Sequence, residues 1–130
     1  MREKVSILIV EGEKLDRELL TIILNMGPFI VNTIDSVEMA LEQVETTTPP
    51  NLVITNAKLG NLSGSSLIQN IRNSKNWLDV PIIVIASEVS PSTVLALKKS
   101  GANAIISKPY DPLRLQTEVL TMTGYERVGS

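Results

Sequence analysis

Five short apolar segments recur along the chain and predict five β-strands. Four of them are rich in β-branched residues and lack polar alternation, which is typical of parallel strands covered on both faces. The second is broken by Asn32 and Thr33, so we predict an edge strand with one hydrated face. The segments are Val5–Val10, Phe29–Ile34, Leu52–Ile54, Ile82–Ile85 and Ala104–Ile106.

Helical periodicity fills the intervals between these segments. In the first interval, apolar residues at i, i+4, i+7, i+8 and i+11 predict the helix face that packs on the sheet, and Gly27 is predicted to form a left-handed C-cap. These apolar residues are Leu15, Leu19, Ile22, Ile23 and Met26.

Four further helices are predicted from their caps and spacing. Ser36 caps the second, and the TTTPP run at 46–50 ends it because proline cannot continue a helix. The fourth and fifth open with Ser90-Pro91 and Asp111-Pro112, each a capping residue followed by proline. The apolar positions are Val37, Ala40, Leu41 and Val44 in the second helix and Leu67, Ile68 and Ile71 in the third.

The alternation of strands and helices predicts an α/β fold. Five βα units in about 120 residues are typical of a flavodoxin-like, doubly wound parallel sheet of order 2-1-3-4-5 with helices on both faces. The 130 residues accommodate one domain. We place it at residues 1–124, with 125–130 as a tail or the start of a linker.

Composition excludes several kinds of chemistry. The chain has no Cys and no His, which excludes disulfides, Cys or His zinc sites and Ser-His-Asp triads. A net charge of −2 gives no general reason to bind nucleic acid or an anionic membrane. No window approaches the roughly 18 apolar residues of a membrane span, and we find no signal-peptide core. We therefore expect a cytoplasmic protein that binds neither nucleic acid directly nor a membrane.

Polar or small residues follow four of the predicted strands. Because the carboxyl ends of parallel strands meet at one edge of the sheet, we predict that these residues converge on one small pocket. They are Glu11, Gly12 and Glu13, then Asn56, Ala57 and Lys58, then Ala86, Ser87 and Glu88, and finally Ser107, Lys108 and Pro109.

Four segments in this order resemble the receiver domain of two-component response regulators, over essentially the whole chain. ILIVEGE resembles the first strand with its acidic pair, NLVITNAKLGNLSG the phosphoacceptor strand and loop, PIIVIAS the fourth strand, and GANAIISKPY the fifth strand with its Lys-Pro. The resemblance implies a CheY-like signalling domain rather than an enzyme. It also implies a phosphoryl group accepted on an aspartate, Mg²⁺ held by acids, and a lysine that pairs with the phosphate.

The residues at the chemically important positions depart from this family. The phosphoacceptor position holds Asn56, whose amide has no anionic oxygen to attack phosphorus. The acidic pair becomes Glu11 and Gly12, the hydroxyl position after the fourth strand is Ala86, the aromatic position of the fifth strand is Ile105, and Lys108 and Pro109 are retained.

We therefore expect a degenerate pocket with no catalytic residue and no cofactor. Mg²⁺ binding is expected to be weak or absent, because Mg²⁺ demands octahedral oxygen geometry that Glu11 and an amide supply poorly. Lys108 is expected to pair with Glu11 and to donate to the side-chain oxygen of Asn56, which would neutralise the pocket. The rim is expected to hold Glu13, Lys58, Ser87 and Pro109, with Pro109 after a cis peptide bond and Lys58 either exposed or folded over the pocket.

The resemblance also implies protein partners: a histidine kinase, a phosphotransfer protein or an attached output domain. The output surface is expected on the fourth helix, the fifth strand and the fifth helix, where a homodimer can also form. Its predicted residues are Ile105, Tyr110, Lys98 and Lys99. An exposed Trp77 or Tyr110 would serve as a contact anchor.

Two alternatives remain open from the sequence. One is a phosphate-accepting receiver, either because the native gene encodes aspartate where this chain has Asn56 or because Ser87 or Thr55 acts as nucleophile. The other is a flavin binder of flavodoxin type, which is disfavoured because the turn EGEKLD lacks a phosphate-binding loop.

Overall fold

Five parallel strands form the central sheet, and each contains one of the apolar segments. In the computed structural model, which describes residues 5–46, 48–59 and 62–125, the strands are β1 (Val5–Val10), β2 (Phe29–Ile34), β3 (Leu52–Asn56), β4 (Ile82–Ala86) and β5 (Ala104–Ser107). Their order in the sheet is β2-β1-β3-β4-β5. The predicted flavodoxin-like order 2-1-3-4-5 is therefore confirmed.

Five helices connect the strands, and three of the predicted caps form. Ser36 Oγ accepts from Met39 N at 3.3 Å. Ser90 Oγ accepts from Thr93 N at 3.2 Å, and Asp111 Oδ1 from Leu113 N at 3.0 Å. The helices are α1 (Lys14–Asn25), α2 (Val37–Thr46), α3 (Gly64–Arg72), α4 (Pro91–Ser100) and α5 (Pro112–Thr123). Among the described residues, no helix is both long and apolar enough to cross a membrane.

Successive side chains of each strand point to opposite faces of the sheet, and they build one hydrophobic core on each face. Leu8 and Val10 of β1 pack with residues of α2, α3 and α4, whereas Ile7 and Ile9 pack with residues of α1 and α5. Trp77 belongs to the first of these cores and is 1% exposed. A buried indole cannot anchor a partner, so that role is excluded for Trp77.

A two-stranded antiparallel ribbon between β3 and α3 was not predicted. It pairs Lys58–Leu59 with Leu62–Ser63, and strands of two residues are too short to show alternation in the sequence. The start of α3 lies against the end of β3, where a Cβ on Gly64 would come within 2.7 Å of Asn56 O. Glycine is therefore required at this approach, which holds the loop after Asn56 in place.

The face of α1 that packs on the sheet differs from the predicted one. Leu20, Ile23 and Leu24 are buried, whereas four of the five predicted core residues are exposed. Arg17 donates to Glu11 O at 2.8 Å and to Gly12 O at 3.1 Å, which ties the first turn to the end of β1. In this orientation Leu20, Ile23 and Leu24 pack in the core on that face of the sheet. The exposed residues are Leu15 (79%), Leu19 (47%), Ile22 (62%) and Met26 (76%).

The prediction of a left-handed C-cap at Gly27 was also wrong. The C-cap is Met26 in the right-handed conformation, and the described glycines with positive φ are Gly101 and Gly124. Gly27 is needed for space instead, since a Cβ there would come within 2.7 Å of the Phe29 ring.

Arg72, the last residue of α3, ties two loops together. Its guanidinium donates five hydrogen bonds of 2.7 to 3.1 Å, to the carbonyls of Leu78, Val80 and Gly101 and to Asn103 Oδ1. The first two acceptors precede β4, and the other two lie between α4 and β5. One side chain thus holds the entries to two neighbouring strands.

The predicted tail at residues 125–130 is described only at its first residue. Tyr125 packs edge-to-face on Phe29, with the ring centroids 6.5 Å apart. Residues 126–130 lie outside the described residues.

Candidate functional site

A small pocket lies at the carboxyl edge of the sheet, next to the point where β1 and β3 run side by side. Glu11 follows β1, Asn56 ends β3 and Lys108 follows β5, so the predicted convergence holds for these three residues. The cavity measures about 10 Å³, which leaves room for about one water molecule. Its polar lining also includes Asp16, Thr55 and Tyr110.

The Asn56 amide uses both of its ends in hydrogen bonds. Its Nδ2 donates to Glu11 Oε1 at 3.0 Å, and its Oδ1 accepts from Lys58 N at 3.0 Å. An amide suits this position because it faces an acceptor on one side and a donor on the other. An ionised carboxylate has only acceptors and would meet Glu11 with like charge.

Lys108 is held by two carboxylates from different elements. Its Nζ lies 3.0 Å from Asp16 Oδ2 and 3.7 Å from Glu11 Oε1. The expected pairing with Glu11 therefore forms, but the expected donation to the Asn56 oxygen is replaced by a hydrogen bond to Asp16. The cis peptide bond between Lys108 and Pro109 is confirmed.

Asp16 is the site residue that the sequence analysis missed. It shares a helical face with Leu20 and Ile23, at i+4 and i+7, and both of these are buried. The predicted core face of α1 was a different one, and it does not include Asp16. The correct face would have placed its carboxylate beside the strand ends.

The pocket holds two carboxylates and one ammonium. Its formal charge is therefore not zero, although a neutral pocket was expected from the sequence. Burial raises the pKa of Glu11, and nearby Asp16 adds to this, while the hydrogen bond from Asn56 and the charge of Lys108 act in the opposite direction. Burial, together with the charges of Asp16 and Glu11, raises the pKa of Tyr110 to about 12. With both acids ionised the formal charge is negative, which disfavours an anionic ligand.

Several residues predicted for the pocket and its rim do not line the cavity. Ala86 is buried in the sheet and Ser87 next to it is exposed. Glu13, at the N-cap of α1, makes no side-chain cap bond. The side chains of Glu13, Lys58 and Pro109 are exposed, which favours the exposed alternative for Lys58.

The position of Gly12 has room for a side chain. A Cβ built on this residue would meet only Asp35 O, at 3.7 Å, an ordinary van der Waals distance. Packing therefore does not require glycine here. What the glycine does is leave the strand end with a single carboxylate.

The residues predicted on the output face are placed in two environments. Lys98 and Lys99 are exposed in the last turn of α4, where their charges favour the helix C-terminus. Ile105 is half-buried against the core, and Tyr110 is half-buried where it lines the pocket. Of the residues predicted on the output face, the two lysines are therefore the ones with exposed side chains.

The oxygen donors of this pocket do not match the set that Mg²⁺ prefers. Glu11 already accepts a hydrogen bond from Asn56 and lies 3.7 Å from the Lys108 ammonium, and Gly12 offers no side chain. In the ranges the structure describes, no group of three or more His, Cys, Asp or Glu residues is arranged to hold a metal ion. Mg²⁺ would have to displace an ammonium from the one buried carboxylate to reach octahedral oxygen coordination.

The raised pKa of Glu11 predicts how the stability of the variant Glu11→Gln, relative to wild type, depends on pH. At pH values between the ordinary pKa of 4.5 and the raised pKa of the folded protein, the Glu11 carboxyl is protonated to a greater extent in the folded protein than in the unfolded chain. The free energy of unfolding of wild type therefore falls as pH rises through that interval, and the full loss is reached above it. Glu11→Gln does not ionise and is therefore expected to be more stable than wild type at pH 7.

This difference is measured by urea unfolding between pH 4 and pH 8. The stability gain of Glu11→Gln should disappear toward pH 4, where the wild-type carboxyl is protonated. Glu13→Gln, which alters an exposed acid two residues away, is the control and should track wild type. A Glu11→Gln protein that is less stable than wild type at pH 7 would show that the Lys108 contact outweighs burial.

Comparisons with known proteins agree on the kind of domain. Residues 7–120 match the sequence profile of the response regulator receiver domain. The chain is 26% identical over 106 residues to the two-component response regulator ORR3 of Oryza sativa subsp. japonica, covering 82% of this chain and 81% of that protein. It is 28% identical over 120 residues to the two-component response regulator ARR17 of Arabidopsis thaliana, covering 84% and 78%.

Solved structures share the fold at low sequence identity. The receiver domain of a sensor histidine kinase from Pseudomonas aeruginosa, with a magnesium ion coordinated in its active-site cleft, superposes with a TM-score of 0.85 at 21% identity, covering 95% of this chain and 100% of that one. The chemotaxis response regulator CheY4 of Vibrio cholerae gives 0.85 at 19% identity, covering 92% and 99%. Both comparisons support the α/β architecture.

Proposed function

This chain belongs to the response regulator receiver domain family, and from that premise we propose that it is a pseudo-receiver that signals by binding proteins without accepting a phosphoryl group. Receiver domains act in two-component signal transduction, as the curated relatives named above do by their names. The proposal concerns what this particular pocket does within that role.

The Asn56 amide is the observation that carries the proposal. Attack on phosphorus needs an anionic oxygen, and the amide nitrogen lone pair is delocalised. Both ends of this amide are also hydrogen-bonded, to Glu11 and to the backbone of Lys58, so the side chain is held in place. Lys108, the residue that would pair with a phosphate, is already paired with Asp16 and Glu11.

The same geometry supports a pocket that works without Mg²⁺. Its ammonium sits beside the carboxylates that a metal would otherwise neutralise. Lys108 then offsets part of the carboxylate charge, whatever the metal concentration. A receiver of this kind would hold one conformation constitutively instead of being switched by phosphorylation.

Protein binding is proposed through the surface formed by α4, β5 and α5. The exposed Lys98 and Lys99 on α4 favour a partner with acidic side chains at the contact. By family analogy, that partner is a histidine kinase, a phosphotransfer protein or an attached output domain. A homodimer through the same surface is the arrangement that this analogy suggests for self-association.

Intact-mass spectrometry after incubation with acetyl phosphate and excess Mg²⁺ tests the proposal. The wild-type chain is expected to show no phosphoryl adduct, while a receiver with aspartate at the phosphoacceptor position, treated in parallel, shows that the reagent is active. A base-labile adduct on the wild type would overturn the proposal. An adduct lost in Ser87→Ala or Thr55→Val would instead identify a hydroxyl nucleophile, although the sequence has no histidine to activate one.

A further inference from the structure

Asp16 holds Lys108 from the first turn of α1, whereas the predicted partners of this lysine, Glu11 and Asn56, lie at the ends of β1 and β3. Lys108 Nζ donates a hydrogen bond to Asp16 Oδ2 at 3.0 Å and lies 3.7 Å from Glu11 Oε1. The Asn56 side chain, at the phosphoacceptor position, bonds to Glu11 and to the backbone of Lys58 instead. The shorter ion pair of Lys108 is therefore made to α1 and not to the end of β3.

We propose that Asp16 is a positioning residue that takes the place of a phosphoryl group. Its carboxylate gives Lys108 a negative partner within the same chain, and so holds the connection between β5 and α5 in one arrangement without phosphorylation. The proposal rests on the pseudo-receiver function proposed above and names the residue that fixes its single state.

The backbone at Asp16 is fixed from both sides. Arg17, the next residue, donates to Glu11 O at 2.8 Å and to Gly12 O at 3.1 Å, which ties the first turn of α1 to the end of β1. One turn further on, Leu20 is buried in the core. Only the side chain of Asp16 therefore remains to be ordered when it pairs with Lys108, which lowers the entropy cost of the pair.

Lys108 begins the connection between β5 and α5, which is held at several points. Its backbone N donates to Ala86 O at 2.9 Å, at the end of β4. Tyr110 is half-buried where it lines the pocket, and the Asp111 side chain caps α5. The pair with Asp16 adds a link from this connection to α1, next to the residues that set where α5 begins.

A second polar contact joins α1 to α5 about two turns further along α1. Gln116 Nε2 of α5 donates to Ile23 O of α1 at 2.9 Å, and residues of both helices share one core. The Asp16–Lys108 pair is the corresponding contact at the carboxyl edge of the sheet. Because the connection it holds borders the surface formed by α4, β5 and α5, the pair keeps that border in one arrangement for a protein partner.

The charges of the pocket favour Asp16 over a dissolved anion as the partner of Lys108. With Glu11 and Asp16 ionised, the two carboxylates outweigh the single ammonium, which disfavours the approach of an anion. A carboxylate in the same chain also competes at a high effective concentration. The lysine is therefore expected to stay on Asp16 at ordinary concentrations of inorganic phosphate.

Competitive isotopic labelling of the lysine amines measures how firmly Lys108 is held. Reductive methylation of the whole folded chain, followed by peptide mass spectrometry, gives a rate for Lys108 and for exposed Lys75 as the internal reference. Asp16→Asn keeps the size of the side chain and removes its charge. It should label Lys108 roughly two- to fivefold faster than wild type, the factor that a partly exposed ion pair contributes.

Two further variants separate the charge of Asp16 from a general effect. Asp16→Glu keeps the charge and should restore a large part of the wild-type protection of Lys108. Glu13→Gln removes an exposed acid from the same end of α1 and is the matched control, which should label like wild type. Equal acceleration in Glu13→Gln and Asp16→Asn would mean that the net charge decides the rate, and would contradict the proposal.

Hydrogen exchange shows where in the chain the effect lies. In Asp16→Asn, peptides that span residues 107–111 should exchange faster than in wild type, because they contain the Lys108 amide and its neighbours. A peptide that contains buried Trp77 should exchange at the wild-type rate. Equal acceleration in both peptides would show a general loss of stability, which a positioning role does not predict.

Two results of the labelling experiment would overturn the role of Asp16. One is equal labelling of Lys108 in wild type and Asp16→Asn. The other is faster labelling in Glu11→Gln but not in Asp16→Asn, which would assign the lysine to Glu11. The phosphorylation test is separate: a phosphoryl adduct on wild type overturns the pseudo-receiver function, whereas no adduct together with either of these results overturns only the role of Asp16.

Discussion

Replacing Asn56 by aspartate is expected to lower the free energy of unfolding by about 2 to 4 kcal/mol at pH 7. The substitution keeps the size of the side chain but turns a donor into an acceptor, 3.0 Å from Glu11 Oε1. Two carboxylates at that separation repel strongly where one of them is buried, and Lys108 is already shared between Glu11 and Asp16. The like charge favours protonation, so the loss should grow as pH rises.

Urea unfolding followed by tryptophan fluorescence measures this loss directly. Trp77 is the single tryptophan and is buried, so its emission reports global unfolding. Asn56→Ala is the matched control, because it removes both hydrogen bonds of the side chain without adding charge and should lose only about 1 to 2 kcal/mol. Equal losses in the two variants would mean that charge repulsion contributes little and that Glu11 takes up a proton in the aspartate variant.

Mg²⁺ is expected to stabilise a variant with a restored carboxylate cluster but not the wild-type protein. Gly12 has room for a side chain, so Gly12→Asp combined with Asn56→Asp rebuilds a cluster of carboxylates that a metal can neutralise. Mg²⁺ at about 100 times its dissociation constant should stabilise this double variant by about 2.7 kcal/mol and leave wild type unchanged. Equal stabilisation of wild type would contradict the proposal of a metal-independent pocket.

The sheet and the helix starts could be predicted from the sequence because their signals are local. A run such as Ile82–Ile85, rich in β-branched residues and without polar alternation, is typical of a strand covered on both faces of a parallel sheet. The Ser90-Pro91 and Asp111-Pro112 pairs set where two helices begin, through bonds between residues two or three apart. The pocket residues Glu11, Asn56 and Lys108 followed from strand order, since strand ends meet at one edge.

The rotation of α1 could not be predicted in the same way. Apolar residues lie on two overlapping faces of this helix, and periodicity alone does not show which of the two faces packs on the sheet. The observed face is the one that packs with α5 and the sheet, and it also lets Arg17 reach the carbonyls of Glu11 and Gly12; both depend on β1 being in place. The error in rotation also hid Asp16, and with it the principal partner of Lys108.

The hydrogen bonds of Arg72 could not be predicted either, because they also depend on residues that are distant in the sequence. Nothing in its local sequence distinguishes it from an exposed arginine at the end of a helix. Its acceptors on Gly101 and Asn103 are about thirty positions away along the chain, and they come into reach only after β4 and β5 have paired.

Arg72→Met is therefore expected to lower the free energy of unfolding by about 3 to 4 kcal/mol. The variant keeps much of the apolar stem but leaves the carbonyls of Leu78, Val80 and Gly101 without the guanidinium. Burial lowers the pKa of Arg72, yet an arginine remains protonated throughout the working pH range, so the loss should be nearly independent of pH. The measurement is urea unfolding at pH 5 and at pH 8, with Arg114→Met on the exposed side of α5 as the control, expected within about 0.5 kcal/mol of wild type.

Arg72→Lys distinguishes the geometry of the guanidinium from its charge. A lysine keeps the charge but presents one compact ammonium, which cannot span acceptors on both sides of the α3 terminus. We expect it to recover only about 1 kcal/mol of the loss seen in Arg72→Met. Full recovery would show that charge alone suffices at this position. Partial recovery would show that the planar fork is needed to hold the entries to β4 and β5 together.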